Sequence, residues 1–324
     1  MSEPTPTDVH VNQLLTNVSI GYINTMYIAD MLFPLVNVRK QSDIIPRYDQ
    51  SHWFRNTATL RGPGSVSLGG GFKVDNTLTY FCQRYSYRFE IPDETRDNSD
   101  EPYNMDSDGT MFVTDKMQMA REIRFATDFF TTGIWTGDQT GVAAAPAANQ
   151  FIQWNDYAAS TPLTDVETWA DNVEGRIARM PTDMVIGKQA WSKLKWHPDL
   201  IDTIKYTQRG QLTTDIVAAL FEMQRLHVGR AIQTTSVEGT AEASVAYTRV
   251  FGKAALLLYV PPAPSLMTPA AGYTFVWQRV PNAIQYIKTM RNEEREIDII
   301  EGNSYFDQAR TAAGAGLFAT ALVA

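Results

Sequence analysis

Between Pro46 and Pro92 the chain reads as two extended arms joined by a glycine-rich tip, and no other stretch narrows the possible folds as much. Gly62, Pro63, Gly64, Gly69, Gly70 and Gly71 exclude a helix at the tip and supply a flexible bend. On the second arm, Gln83 to Ile91, the side chains of Tyr85, Tyr87, Phe89 and Ile91 alternate with Arg84, Ser86, Arg88 and Glu90, the period of a strand with two unlike faces. The first arm, Tyr48 to Leu60, is rich in threonine and aromatics and alternates less cleanly. An arm of about 20 strand residues spans roughly 65 Å at ~3.3 Å per residue. A compact globule of 324 residues has a radius of gyration of only about 20 Å. A hairpin that long either curls over its own domain or leaves it. A two-stranded ribbon is marginal alone in water, so the expected resting place is a neighbouring subunit.

Composition supports an ordered chain with room for two lobes, at 44% hydrophobic and 11% aromatic residues. The longest apolar run, Ala254 to Val260, falls short of the ~18 residues of a membrane span. The N-terminal segment has neither the basic start nor the apolar core of a signal peptide, so a protein made in the cytosol is expected. The single cysteine, Cys82, excludes an intrachain disulfide and a cysteine-based zinc cluster, and is expected to be a small packed residue.

The net charge of −8 argues against a generic nucleic-acid binder. Its distribution is uneven. Residues 46–92 carry six basic side chains (Arg47, Arg55, Arg61, Lys73, Arg84, Arg88) against three acids. The following segment, Asp93 to Asp108, carries Asp93, Glu94, Asp97, Asp100, Glu101, Asp106 and Asp108 against Arg96 alone. A run of charges is ordinarily a solvated face. A basic ribbon beside an acidic collar also suits repeated copies docking ribbon on collar, because complementary patches fix register.

Along the rest of the chain, apolar spacing predicts a helix over Ile20 to Phe33, ended by Pro34, and a long helix from a cap at Thr114 or Asp115 to about Thr132. On that helix, Lys116, Arg121, Glu122, Arg124 and Asp128 are assigned to the wet side. Thr136 to Thr161 reads as a long loop. Further helices are predicted over Asp165 to Met180, Lys188 to Trp196, Asp199 to Tyr206 and Thr213 to Phe221, with strands at Asp183 to Gly187, Leu226 to Thr234 and Ala246 to Val260. Ala283 to Arg291, Arg295 to Gly302 and Tyr305 to Ala312 read as strands, and the Ala/Gly-rich end as a last one. Grouped helices not alternating with every strand make this an α+β chain.

The sequence carries few marks of a chemical site. Phosphate-loop, dinucleotide, nucleophile-elbow and zincin motifs are absent from the sequence, and His10, His52, His197 and His227 lack ligand spacing. The acids Glu293, Glu294, Glu296, Asp298 and Glu301 are the basis of an alternative reading as a carboxylate-dependent hydrolase, weighed against a solvated strand face balanced by Arg291 and Arg295. Lys73, alone between Lys40 and Lys116, is a candidate for an isopeptide crosslink, weighed against an ordinary exposed lysine. No catalytic residue, cofactor or metal is assigned.

Three phrases carry a family resemblance: IADMLFPLVNVRKQSDIIPRYDQSHWFR (Ile28 to Arg55), IPDETRDN (Ile91 to Asn98) and GKQAWSKLKWHPDLIDTIKYTQRGQLTTDIVAALF (Gly187 to Phe221). In their order along the chain the sequence resembles the major capsid proteins of tailed double-stranded-DNA bacteriophages, which share the Hong Kong 97 type fold. The resemblance implies an N-terminal arm (1–45), an extended β-hairpin loop (46–92), a peripheral domain with a long spine helix (93–164), an axial domain (165–280), peripheral strands (281–315) and a return strand to the axial domain (316–324). It implies a non-enzymatic shell protein of the virion, assembled in the host cytoplasm, forming pentamers and hexamers and enclosing DNA without sequence-specific binding. Only about 20 residues precede the first predicted helix, so a separate scaffolding protein or a processed form of this chain is expected, with a portal and a decoration protein as further partners. The expected subunit contact joins Arg47, Arg55, Arg61, Lys73, Arg84 and Arg88 of the loop to Asp93, Glu94, Asp97, Asp100 and Glu101 of a neighbour. An encapsulin-like compartment shell on the same fold is the near alternative.

Overall fold

The computed structural model of the protein describes residues 27–99, 104–204, 212–264, 268–278 and 284–324. The expected N-terminal arm up to residue 26, the start of the helix predicted from Ile20, and Asp100 and Glu101 lie outside the described residues. In chain order the first part comprises α1 (Ala29–Leu32), β1 (Leu35–Val38), β2 (Ser42–Ile44), β3 (Arg47–Tyr48), α2 (Gln50–Trp53), β4 (Val74–Asp75), β5 (Thr79–Phe81), β6 (Gln83–Pro92), α3 (Asp93–Asp97) and the long α4 (Met105–Phe129). Next come β7 (Gln139–Val142), β8 (Gln150–Ile152), α5 (Pro162–Ile177), β9 (Asp183–Gly187), α6 (Lys188–Leu194), α7 (Pro198–Ile204), α8 (Thr214–Leu220), β10 (Arg225–Gly229), β11 (Ile232–Thr234), β12 (Tyr247–Arg249) and β13 (Ala255–Leu258). β14 (Gly272–Trp277), β15 (Gln285–Asn292), β16 (Ile297–Arg310) and β17 (Gly316–Thr320) follow.

One sheet is built on β16. β6 runs antiparallel beside it from Ile297↔Pro92 to Phe306↔Gln83. β15 pairs with Ile297 to Ser304, β14 with Phe306 to Arg310, and β1 adds to β14 in parallel. The strongest alternation in the sequence therefore belongs to the body and not to a projecting ribbon. β16 offers β6 a full-length partner inside a multi-stranded sheet, which a two-stranded ribbon lacks. The two strands expected at 295–312 are one, because buried Asn303 and Ser304 at the expected break are satisfied by Arg84 and by the Ile284 carbonyl.

Helix α4 lies across β16 and β6. It starts nine residues before the predicted Thr114. Asn104 accepts the Ser107 N–H at 3.1 Å as the cap, and Asp106 and Asp108 sit where the helix dipole favours acids. The end of the acidic collar is thus the first turn of this helix. Close seating depends on two glycines. A Cβ at Gly109 would lie 2.6 Å from the Phe89 ring, and one at Gly302 would lie 2.5 Å from Val113 Cγ1. Met105, Val113, Ile91 and Ile300 are buried at this junction.

The second sheet has the order β10-β9-β13-β17-β7-β8. β9 and β13 are buried along their whole length, which explains the apolar run of β13 and of β9 after Asp183. α5 packs toward β17, and its Trp169 stands edge-on to Phe151 of β8 and stacks on Trp154, whose indole donates to Asp165 at 3.0 Å. α6 and α8 cover β9 and β10. β7 and β8 occupy the stretch expected to be a long loop. The expected Leu226 to Thr234 and Ala246 to Val260 strands each split in two, and β11 and β12 leave the sheet as a separate hairpin.

Candidate functional site

The loop between β3 and β4 is held at its base by short ladders. β2 pairs antiparallel with β5, and β3 with β4 through Arg47↔Asp75 and Tyr48↔Val74. The Arg47 guanidinium lies 2.7 Å from Asp75, which also accepts the Thr77 hydroxyl and N–H at 2.8 and 3.0 Å. Those Thr77 bonds, then Arg47, hold the Asp75 carboxyl below its usual range. Asp49 caps α2 by accepting the Ser51 N–H. Tyr48, Trp53 and Phe72 meet with ring centroids 5.4–6.0 Å apart. The first arm expected as a strand over Tyr48 to Leu60 is therefore a two-residue strand and a short helix, followed by irregular chain.

Every residue from Gln50 to Val74 is exposed. The exposed side chains include Leu60 at 103%, Val66 at 93% and Leu68 at 69% of full accessibility, with Trp53, Phe54 and Phe72. Such a concentration of apolar groups in water marks a contact surface. Beneath the loop base an open cleft of about 930 Å³ is lined by Tyr48, Trp53, Phe54, Ile177, Tyr273 and Phe275 among others. Cys82 anchors the return. Its thiol is buried against the Phe275 carbonyl and pushed up to about 12, chiefly by burial.

The predicted contact residues divide into two groups. Arg84 and Arg88 stand on β6, away from the loop. Arg84 pairs with Glu301 at 2.6 Å, and Arg88 with Glu90 at 3.0 Å, which Arg295 also meets at 3.1 Å. Arg47 is taken by Asp75. Arg55, Arg61 and Lys73 have no ion pair among the described residues. On the collar, Asp93 is held by Arg291 at 2.5 Å, whereas Glu94 and Asp97 have no ion pair among the described residues. Arg96 bridges Asp106 and Asp298, and Arg291 also reaches Asp298 and Glu293. Of the C-terminal acids considered for hydrolysis, Asp298 and Glu301 are held in guanidinium pairs and Glu293 lies 3.9 Å from Arg291, while Glu294 and Glu296 have no ion pair among the described residues.

Of the histidines, His197 is buried with Ser160 Oγ 2.9 Å from Nε2. Its Nδ1 accepts the Asp199 N–H at 3.2 Å, so Nε2 carries the proton and donates to the serine. That polarity is opposite to the one that activates a nucleophile. His227 and Arg225 meet buried Asp183 at 3.0 and 2.7 Å, where Thr182 also donates. Among the described residues no group of three His, Cys, Asp or Glu side chains is placed to hold a metal ion.

A family model described as phage major capsid protein E matches residues 147–250. The major capsid protein of Burkholderia phage BcepMu is 26% identical over 317 residues, covering 94% of each chain. A phage-related protein of Bordetella bronchiseptica RB50 superposes with a TM-score of 0.68 at 22% identity, over 92% of this chain and 93% of that one. The capsid of cyanophage P-SCSP1u gives 0.61 at 11% identity, over 97% and 93%. The sequence likeness is to phage major capsid proteins, and the fold is the α+β capsid fold of Hong Kong 97 type. An encapsulin of Synechococcus elongatus PCC 7942 shares the fold, with a TM-score of 0.51 at 8% identity over 95% and 92%. The fold alone therefore does not separate shell classes, whereas the sequence likeness is to phage.

The root of the N-terminal segment is fixed by residues that sequence reasoning misplaced. Arg121 and Glu122, assigned to the wet side of α4, are 5% and 1% exposed. Glu122 accepts the N–H groups of Ile28 and Ala29 at 2.8–3.1 Å and so satisfies the start of α1. Arg121 pairs with Asp30 at 3.2 Å, and the Tyr27 hydroxyl donates to Asp115 at 2.5 Å. Burial, opposed by those N–H bonds, pushes the Glu122 carboxyl up to about 7. The one available signal was an Arg-Glu pair inside an otherwise apolar stripe.

Proposed function

We propose that this protein is the major shell subunit of a phage head, and that copies assemble by laying the 50–74 loop of one over the body of the next. The observation that carries this is the full exposure of that loop with its apolar side chains, a surface that costs solvation in a free subunit and is covered in a shell. Summed arm and loop contacts then exceed any single patch. Arg55, Arg61 and Lys73 of the loop meet Glu94 and Asp97 of a neighbour, with Asp100 and Glu101 following in the same run. The other basic and acidic groups first considered are already paired within the chain. The shell consists of pentamers and hexamers, encloses double-stranded DNA through no sequence-specific contact, and draws on a separate scaffolding protein, a portal and a decoration protein. An acidic chain suits this role, because a shell that gripped DNA would impede its packing and release.

Electron microscopy and light scattering of purified protein across salt conditions test the proposal. Uniform shells or capsomers are expected from the intact chain. Deleting Gly62 to Gly71 should remove them while leaving a folded subunit. A monomer under every condition would sink the shell assignment, and unchanged assembly after the deletion would sink the role of the loop.

A further inference from the structure

Two unpaired charge groups stand on opposite halves of the lobe that contains the six-stranded sheet. Glu167, Asp171 and Glu174 are exposed on α5 at i, i+4 and i+7, hence one face of the helix. None of them has an ion pair among the described residues. α5 packs over the β17 and β8 half, where Trp169 meets Phe151. At the other edge, strand register assembles cations. Gly187 pairs with Gly229, which sets Lys188 beside Arg230. Arg249 pairs with Ile232, two residues further on, and the Val250 N–H bonds the Ala231 carbonyl at 3.0 Å. Lys195 follows Lys188 by seven residues and so returns to its side of α6.

Among the described residues no carboxylate pairs with Lys188, Lys195, Arg230 or Arg249. Burial, with the charges of Arg230, Lys195 and Arg249, pushes the Lys188 ammonium below the ordinary lysine range. Four cations held together on a chain of net charge −8 are conspicuous. A protein whose charge is mostly acidic gains nothing in solubility from this arrangement, and the cluster repels itself until an anionic surface covers it.

We propose that the acidic stripe of α5 in one copy docks against the Lys188, Lys195, Arg230 and Arg249 cluster of the next copy, closing this lobe into a ring. The inference rests on the shell assignment above and names a contact separate from the loop. Placement on opposite halves of the lobe is what a head-to-tail contact needs, and such a contact generates a ring when its rotation closes. A two-fold contact through either surface would set like charges face to face, which is unfavourable. Exposed pairs are individually weak, so the set acts mainly to select register and exclude wrong pairings.

The test is a charge swap in the full chain. One variant carries Glu167→Lys, Asp171→Lys and Glu174→Lys. A second carries Lys188→Glu, Lys195→Glu, Arg230→Glu and Arg249→Glu. A third carries all seven. Circular dichroism and thermal unfolding of unassembled subunits select conditions in which each is folded, since all seven positions lie at or near the surface. Each partial reversal should raise the concentration needed for assembly by roughly tenfold or more, because like charges then face each other. The seven-fold variant should recover assembly, which no damage to folding would produce. Assembly unchanged by either partial reversal, or failure of the folded seven-fold variant to recover, overturns the ring contact. A cation-reversed variant that assembles normally but loses only retained nucleic acid assigns the cluster to phosphate and also overturns it. If the wild type never assembles, the shell assignment itself has failed, and the two failures are thereby distinguished.

Discussion

Replacing Gly302 with alanine probes the seat of α4 on β16. The new Cβ would stand 2.5 Å from Val113 Cγ1 and 3.3 Å from Met117 Cγ. The first contact is short of an ordinary carbon–carbon distance by about 1 Å. Val113 cannot turn aside, because a β-branched side chain in a helix has one strongly favoured rotamer, so the helix must lift from the sheet. Overpacking of this kind costs about 1–3 kcal/mol. The double variant Gly302→Ala, Val113→Ala removes the clashing methyl and fills part of the space it leaves. It should recover about 1 kcal/mol relative to the sum of the two single changes, within the range of contacting pairs. Urea unfolding of the unassembled subunit measures all three. Gly302→Ala within about 0.5 kcal/mol of wild type, the ordinary range of surface substitutions, would refute the close seating.

Glu122 gives a pH signature. Its folded carboxyl is raised to about 7 from 4.5, so the folded state holds the proton more tightly than the unfolded chain, and stability falls as pH rises through that window by up to about 3 kcal/mol. Glu122→Gln should flatten this slope in unfolding measurements at pH 5 and pH 8, and parallel slopes would count against it. Cys82 is buried with its thiol pushed up to about 12, so iodoacetamide at pH 8 should label it only after unfolding, and rapid native labelling would show that the loop return is open. Leu60→Ser, Val66→Ser and Leu68→Ser together should leave subunit stability within about 0.5 kcal/mol because these side chains are solvated, yet should weaken assembly in light scattering. A loss of subunit stability with intact shells would reverse the assignment.

Much of the fold was legible because local chemistry and tertiary role agree. The DMVIG strand is apolar after Asp183 because neighbours cover both of its faces, and its predicted limits match β9. The alternation at Gln83 to Ile91 identified a strand but not its partner, since period two specifies two faces and says nothing of which strand pairs along the edge. The start of α4 was hidden because Gly109 and the nearby Asp106 and Asp108 have loop composition. Their helical role depends on Asn104 as cap and on Phe89 filling the space beside the glycine. The buried Arg121–Glu122 pair was misassigned for a related reason: the partners of these charges, Asp30 and the first N–H groups of α1, are some 90 residues away in sequence. For the contact surface, net charge along the chain showed a basic stretch and an acidic one. Only the structure separates charges already satisfied, such as Arg84 and Asp93, from Arg55, Arg61 and Lys73.

Cryo-electron microscopy of assembled particles tests the central claim most directly, through the density of residues 54–73. This segment is expected to cross to a neighbouring subunit, with Leu60, Val66 and Leu68 covered and Arg55, Arg61 and Lys73 near that neighbour's Glu94 and Asp97. A loop folded back on its own subunit, or left in solvent within an intact shell, would contradict it.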